Sequence, residues 1–253
     1  MRLIQKIEAD GQSLFRGRSY LPLLVLPLAV LAIIDGSALD SVLGERGEQL
    51  WLYLCLVISG AGIAIRAFTV GYVPGGTSGR TTSAPRAESL NTTGMYSIVR
   101  NPLYLGNFVV YLGIALATKS WWFVLLTGLA YWLYIERIIA AEEAFLATRF
   151  GETFERWAAR TPVFFPRLSA WQSADARFSL RTVLRREYPG VLACAASFLA
   201  LSIIEEVIVE AVPVRTWLTE GRVVVVVFVL ALIVFFVLRT LKKRTRLLHV
   251  PGR

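Results

Sequence analysis

Apolar residues in this chain gather into six blocks, at 20–34, 50–68, 103–117, 121–135, 188–204 and 223–238. They are collected in runs rather than spread by the period of a half-buried element, which is not the habit of a soluble domain. A transmembrane helix needs about 20 mostly apolar residues, with roughly 17 as a lower bound. Several blocks reach that length only with their neutral flanks. The pattern predicts an all-α, polytopic membrane helix bundle of about six transmembrane helices.

The polar stretches divide the chain into three zones. Residues 1–68 form an N-terminal hairpin joined by the polar connection 35–49. Residues 69–187 hold a loop rich in Gly, Ser and Thr, two spans turning tightly at 118–120, and a long charged segment. Residues 188–253 form a last hairpin and a basic tail. In the middle zone "AEEAFLATRFGETFERWAAR" (141–160) puts Leu146, Phe150, Phe154 and Trp157 on one helical stripe. That reads as a cytoplasmic helix lying in the interface, weakened by Gly151. The "TPVFFPRLSAW" that follows has two prolines and several aromatics, and is expected to run along the headgroups.

Composition agrees with the pattern: 55% of the residues are hydrophobic and the mean hydropathy is +0.57. The net charge of +9 would suit nucleic acid, but its distribution does not. With six spans and a cytoplasmic N-terminus, the outer segments retain only Arg46, Lys119, Arg215 and Arg222 as basic residues. They are otherwise acidic, with Asp35, Asp40, Glu45, Glu48, Glu205, Glu206, Glu210 and Glu220. The remaining basic residues fall inside. This asymmetry predicts both termini in the cytoplasm and a basic balance directed at anionic headgroups, not nucleic acid. Residues 1–20 contain Glu8 and Asp10 and no apolar stretch, so no cleavable signal is expected there.

Cys55 and Cys194 fall inside apolar blocks, and the one histidine, His249, lies in the tail, so no metal site is expected. Arginine outnumbers lysine 23 to 4, which suggests a high-GC bacterium and hence its inner membrane.

Chemistry concentrates around "YSIVRNPLYLGN" (96–107). Its bland reading is a helix start: Asn101 as N-cap, Pro102 at the first helical position, Arg100 snorkelling and Tyr104 in an aromatic belt. Context favours more. Upstream, Gly94 and Tyr96 let the backbone approach a ligand closely. Downstream, the fourth block ends in "YIERIIAAEEAF", with Glu136 and Arg137 inside the apolar pattern and Glu142 and Glu143 following. Ionisable residues at membrane depth usually face a bundle interior or a water-filled cavity. Because the third and fourth spans form a tight hairpin, both segments return to one level of the membrane.

The ordered set Gly94-x-Tyr96, Arg100-Asn101-Pro102-x-Tyr104-x-Gly106, Glu142-Glu143-x-x-Leu146, Phe150-Gly151-x-x-Phe154 and Pro166 resembles the isoprenylcysteine carboxyl methyltransferase and phospholipid methyltransferase superfamily, over roughly residues 60–166. The resemblance implies an integral-membrane enzyme that takes S-adenosylmethionine from the cytoplasm and methylates a membrane lipid or other lipophilic acceptor. It implies cofactor binding by Leu90, Gly94, Tyr96, Arg100, Asn101, Pro102, Tyr104, Glu142 and Glu143. Arg66 matches an arginine often found before the family's cytoplasmic loop. Asn101 stands where the prenylcysteine branch has histidine, and phosphatidylethanolamine methyltransferases share the Asn-Pro-x-Tyr form.

For the methyl transfer itself, Glu143 joins Arg137 and Glu136 as the candidate catalytic residues. Arg137 would orient an anionic acceptor by paired hydrogen bonds, and Glu136 would serve as base for an amine. A soluble-type methyltransferase is disfavoured, since "VPGGTSGR" (73–80) neither follows a strand nor opens a helix; it reads as a flexible loop, a lid over the cofactor. The rival class is a non-enzymatic membrane carrier or lipid-binding protein whose Glu/Arg cluster lines a polar pathway. No internal repeat supports that reading.

Overall fold

The computed structural model of the chain describes residues 3–17, 26–74, 87–220 and 222–251. The start of the first apolar block and most of the expected lid loop lie outside the described residues. Those residues form nine α-helices with no strand among them.

Four helical stretches are long and apolar enough to cross a membrane: Arg46–Tyr72, Trp121–Phe150, Leu180–Val209 and Val223–Arg244. Two shorter apolar helices, Pro27–Gly36 and Pro102–Leu116, correspond to the other expected blocks. At 1.5 Å per residue, the longer of these two, Pro102–Leu116, measures about 22 Å against a hydrocarbon core of about 30 Å. Length alone therefore assigns four spans.

Helix α1 (Leu3–Gly17) is amphipathic and was not among the expected elements, since no apolar block marks it. It lies along α5 (Trp121–Phe150), crossing where Gly11 meets the Arg137 carbonyl closely enough to leave no room for a side chain. Helix α2 (Leu26–Tyr72) is two helices meeting at Gly44, whose φ of 63° suits glycine. A short α3 (Met95–Ile98) leads into α4 (Pro102–Leu116), and α5 returns antiparallel to it.

Helix α5 does not end with its apolar block. It runs unbroken for 30 residues to Phe150, and Gly151, with φ 51°, turns the chain into α6 (Glu152–Ala158). The expected interfacial helix is thus the end of a span plus a separate short helix. Its stripe faces protein at the far end: Phe154 and Trp157 are buried.

Helix α7 (Leu180–Ser202), started by Ser179 accepting from the Thr182 N–H, continues as a π-helix over Ile203–Val209. After α8 (Val214–Glu220), α9 (Arg222–Arg244) packs on α7. Val224, Ala231 and Leu238, seven residues apart, are its buried seam, while Val226, Ile233 and Phe236 among others stay exposed.

Helices α2 and α4 make the most extensive pairing of the bundle. A Cβ on Gly62 would lie 2.6 Å from the Gly106 carbonyl oxygen, and the Ser59 hydroxyl donates to the Val110 carbonyl at 3.0 Å. Small residues let the two backbones touch, which is how apolar helices associate where lipid offers no hydrophobic driving force.

Candidate active site

The segment before α4 is held from the side. The Arg100 N–H donates to the Pro162 carbonyl at 2.8 Å, and the Arg167 N–H donates to the Ile98 carbonyl at 2.9 Å. Asn101 does not cap α4 with its side chain; its amide donates instead to the Val163 carbonyl at 3.2 Å. The Trp157 indole donates to the Tyr96 carbonyl at 3.0 Å. The "TPVFFPRL" stretch, expected along the headgroups, therefore clamps the Arg-Asn-Pro segment. Phe164 inserts into the core beside Tyr131, Ile135 and Ile138, while Val163, Phe165 and Leu168 are left exposed.

Gly94 opens α3 at φ 60°, and its N–H donates to the Gln172 carbonyl at 3.0 Å. The close approach expected at this glycine is to the 172–174 chain, where an added Cβ would meet that of Ala174 at 3.2 Å.

Because α5 outruns α4, its residues beyond about 136 stand alongside the segment that precedes α4. Here the two motifs meet. Arg100 Nη1 donates to Glu143 Oε2 at 3.0 Å, and the Tyr104 hydroxyl donates to Glu142 Oε1 at 2.9 Å. The Tyr131 hydroxyl fixes the hairpin by donating to the Tyr104 carbonyl at 2.7 Å. Within the Arg100–Glu143 pair, Arg100 Nε and Glu143 Oε1 are buried without a hydrogen-bond partner. A buried donor and acceptor left open in this way require an explanation, such as a ligand.

A second cluster was not anticipated. Arg66 on α2 is gripped by Glu187 on α7 through two bonds, Nε to Oε2 at 2.8 Å and Nη2 to Oε1 at 3.1 Å. Its Nη1 donates to Asn107 Oδ1 at 2.7 Å. The aliphatic stem crosses α4 at Gly106, where a Cβ would lie 2.5 Å from Arg66 Cγ. Gly106, part of the motif read from the sequence, is there to make room for Arg66. Glu187 carried one faint signal: it is a carboxylate directly before an apolar run, as Glu136 is within one.

These groups surround a cavity of about 720 Å³. One end is polar and is lined by Tyr96, Arg100, Asn101, Tyr104, Glu142 and Arg186. The other runs between α4 and α7 over apolar side chains, Ile63, Val110, Ile114 and Val191 among them, as far as Cys194 and Ser197. Burial, with the Glu142 carboxylate as a smaller contribution, pushes the Tyr96 phenol up to about 12.

Of the residues singled out from the sequence, Leu90, Tyr96, Arg100, Asn101, Pro102, Tyr104 and Glu142 line this cavity. Glu143 stands behind Arg100, and Gly94 behind α3. Glu136 is exposed, and Arg137 donates to the Leu133 carbonyl of its own helix at 2.6 Å; neither lines the cavity. Among the described residues no cluster of three His, Cys, Asp or Glu side chains suits a metal ion.

The Gly94–Tyr104 segment is thus joined to a Glu–Glu helix beside a cavity that is polar at one end and apolar at the other. Known proteins resemble this chain in part. Residues 49–153 match the phospholipid methyltransferase family. A nickel-cobalt-cadmium resistance protein, NccN of Alcaligenes xylosoxydans xylosoxydans, is 33% identical over 155 residues, covering 59% of this chain and 64% of the relative. The cobalt-zinc-cadmium resistance protein CzcN of Cupriavidus metallidurans is 36% identical over 124 residues, 49% of this chain and 55% of the relative. The protein-S-isoprenylcysteine O-methyltransferase of Schizosaccharomyces pombe is 34% identical over 77 residues, 30% of this chain and 33% of the relative. The likeness to the phospholipid methyltransferase family is thus carried by residues 49–153, less than half of the chain. The chain spans under two thirds of the length of each of these relatives, and no solved structure matches it. Helix α7 lies beyond the part that the family covers, yet it supplies one wall of the cavity.

Proposed function

We propose that this chain is an S-adenosylmethionine-dependent methyltransferase of a bacterial inner membrane, in which the two shorter apolar helices, with their flanking residues, complete the four long ones to six spans and both termini are cytoplasmic. It acts on a lipid or lipid-like acceptor at the cytoplasmic face. The observation that carries the reading is the cavity itself, which joins a charged, hydrogen-bonding end to an apolar limb between two spans. One end suits a polar cofactor and the other an acyl or prenyl chain.

The residues present fit the cofactor. Arg100 lines the cavity with a donor left open at Nε, and Glu143 behind it holds the guanidinium in place for the carboxylate of an amino-acid moiety. Tyr96, Asn101, Tyr104 and Glu142 add hydroxyl, amide and carboxylate groups along the same wall, while Leu90, Gly94 and Pro102 shape the backbone around it. S-adenosylmethionine, when bound, supplies a methyl group made electrophilic by its sulfonium. The protein's part is positioning: an acceptor lone pair must come in line about 3–3.5 Å from that methyl. Tyr111, Tyr131 and Ile135 line the same cavity and keep water from the transfer.

The names of two relatives point to divalent-cation resistance, and a lipid product connects to them physically. Methylating an oxyanion at a membrane surface removes negative charge, and with it attraction for divalent cations.

The test is to give membranes containing the protein S-adenosylmethionine with a labelled methyl group and to separate the extracted lipids. Label in a lipid band that vanishes with Glu143→Ala supports the reading. Unlabelled lipid from membranes that hold folded protein contradicts it.

A further inference from the structure

We infer that the basic pocket where the start of α7 meets the tail beyond α9 is a binding site for a phosphate monoester, separate from the larger cavity. The inference does not depend on the methyltransferase reading.

Charge is the first argument. Arg185 near the start of α7, Lys242 on the last turn of α9, and Arg246 and His249 on the tail line a pocket of about 580 Å³. Among the described residues none that lines it is acidic, and no Asp or Glu follows Glu220 in the chain. The acid nearest to Arg185 in sequence, Glu187, is gripped by Arg66. Among the described residues Arg246 takes part in no ion pair. Three fixed like charges round one space repel one another, and an anion of more than one charge offsets that best. A phosphate monoester carries about −1.5 to −2 charge at pH 7 and three acceptor oxygens. The arginine fork matches those oxygens by paired hydrogen bonds.

Construction is the second. The chain turns back after α9: the Thr245 hydroxyl donates to the Leu241 carbonyl at 2.6 Å and accepts from the Leu247 N–H at 3.3 Å. The His249 N–H donates to the Arg246 carbonyl at 2.9 Å. Leu248 is buried and pins this turn, whereas Leu247 is exposed. Lys242 is placed by α7, its Nζ 5.7 Å from the centroid of the Tyr188 ring, and that ring packs on Phe235 at 5.2 Å. Cations from two helices and a folded tail are thus held round one space, which scattered basic residues would not be.

The surroundings favour a lipid as bearer of the phosphate. The exposed apolar surface of α9 reaches Val237, and Arg239 and Lys242 follow within about two turns. An acyl chain lying along α9 brings its head to the pocket, where basic residues meet anionic headgroups. Arg185 and Arg186 are neighbours on α7, yet the first lines this pocket and the second the larger cavity. Successive side chains on a helix point about 100° apart, so a headgroup at Arg185 stays outside the larger cavity.

The experiment titrates the purified full chain, in a non-ionic detergent, with dihexanoyl phosphatidic acid, dihexanoyl phosphatidylcholine and inorganic phosphate. Phosphatidic acid should bind saturably and about tenfold more tightly than phosphatidylcholine, the worth of one further charged contact. Arg246→Gln should weaken phosphatidic acid about tenfold, Arg246→Lys less, and Arg244→Gln, outside the pocket, hardly at all. Leu248→Asn keeps every charge but releases the turn, and should weaken binding as Arg246→Gln does, with the denaturation midpoint of the bundle showing the fold intact. Inorganic phosphate as tight as phosphatidic acid supports the site with a soluble bearer; much weaker inorganic phosphate supports it with a lipid bearer. Equal affinity for the two lipids, or equal losses from Arg246→Gln and Arg244→Gln, overturns the inference, the tail being then a diffuse basic surface. So does a folded Leu248→Asn variant that binds phosphatidic acid as the wild type does.

Discussion

Arg100 and Glu143, 43 residues apart in the chain, meet at 3.0 Å and join the segment before α4 to the overhang of α5. Each keeps one buried polar atom without a partner, Nε on the arginine and Oε1 on the carboxylate. A pair that closes a structure but leaves its own hydrogen bonding incomplete is what a ligand-binding pair looks like before its ligand arrives.

Removing the carboxylate should cost both fold and function. Glu143→Ala leaves the Arg100 guanidinium partly buried and unpaired, a loss of about 1–3 kcal/mol. Glu143→Gln keeps the shape and should unfold closer to the wild type. Both should lose methyl transfer, read by thermal denaturation in detergent beside the labelled-methyl assay.

Two glycines on neighbouring helices should behave oppositely. Gly106→Val drives a side chain into the Arg66 stem and should destabilise by about 1–3 kcal/mol, with loss of activity. Gly128→Ala on α5 meets nothing within 4 Å and should be neutral or slightly stabilising, as alanine is the better helix former. Denaturation midpoints of the two variants, measured side by side, check the pairing of α2 with α4.

Much of this arrangement was legible in the sequence, and the reasons differ by residue. The α4–α5 hairpin follows from two apolar blocks and a four-residue turn, and it forces "RNPLY" and "AAEE" to the same level. Arg66 and Glu187 are 121 residues apart, and no local pattern announces that two isolated charges at span ends will find each other. Helix α1 escaped because amphipathic packing on α5 needs no apolar block. The continuation of α5 to Phe150 was hidden by the charged residues after Ile139, where hydropathy falls although helix propensity does not. Asn101 stands at the N-cap position as read, with Pro102 after it, but its side chain does not cap; its amide donates to the 162–167 chain, invisible to a local rule.

Gly94→Ala should strain the turn that starts α3. Its φ of 60° suits glycine, and the new Cβ would meet Ala174. The expected cost is about 1–3 kcal/mol, seen as a lower midpoint together with weaker binding of S-adenosylhomocysteine, because Tyr96 follows two residues later.

The Tyr96 phenol sets an alkaline limit. In the unfolded chain it ionises near the usual value of about 10, whereas burial holds it protonated in the fold up to about 12. The unfolded state alone therefore gains charge between those values. Stability is whole below pH of about 10 and declines as pH rises toward 12. Tyr96→Phe should remove this part of the decline, measured as midpoint against pH for both proteins.

The Arg100–Glu143 end of the cavity is the proposed seat of the methyl donor. Calorimetric titration of the purified, folded chain with S-adenosylhomocysteine tests it most directly, with Arg100→Gln alongside. The wild type should show saturable one-site binding and Arg100→Gln none. Absence of binding by the folded wild type, or equal binding by both, would contradict it.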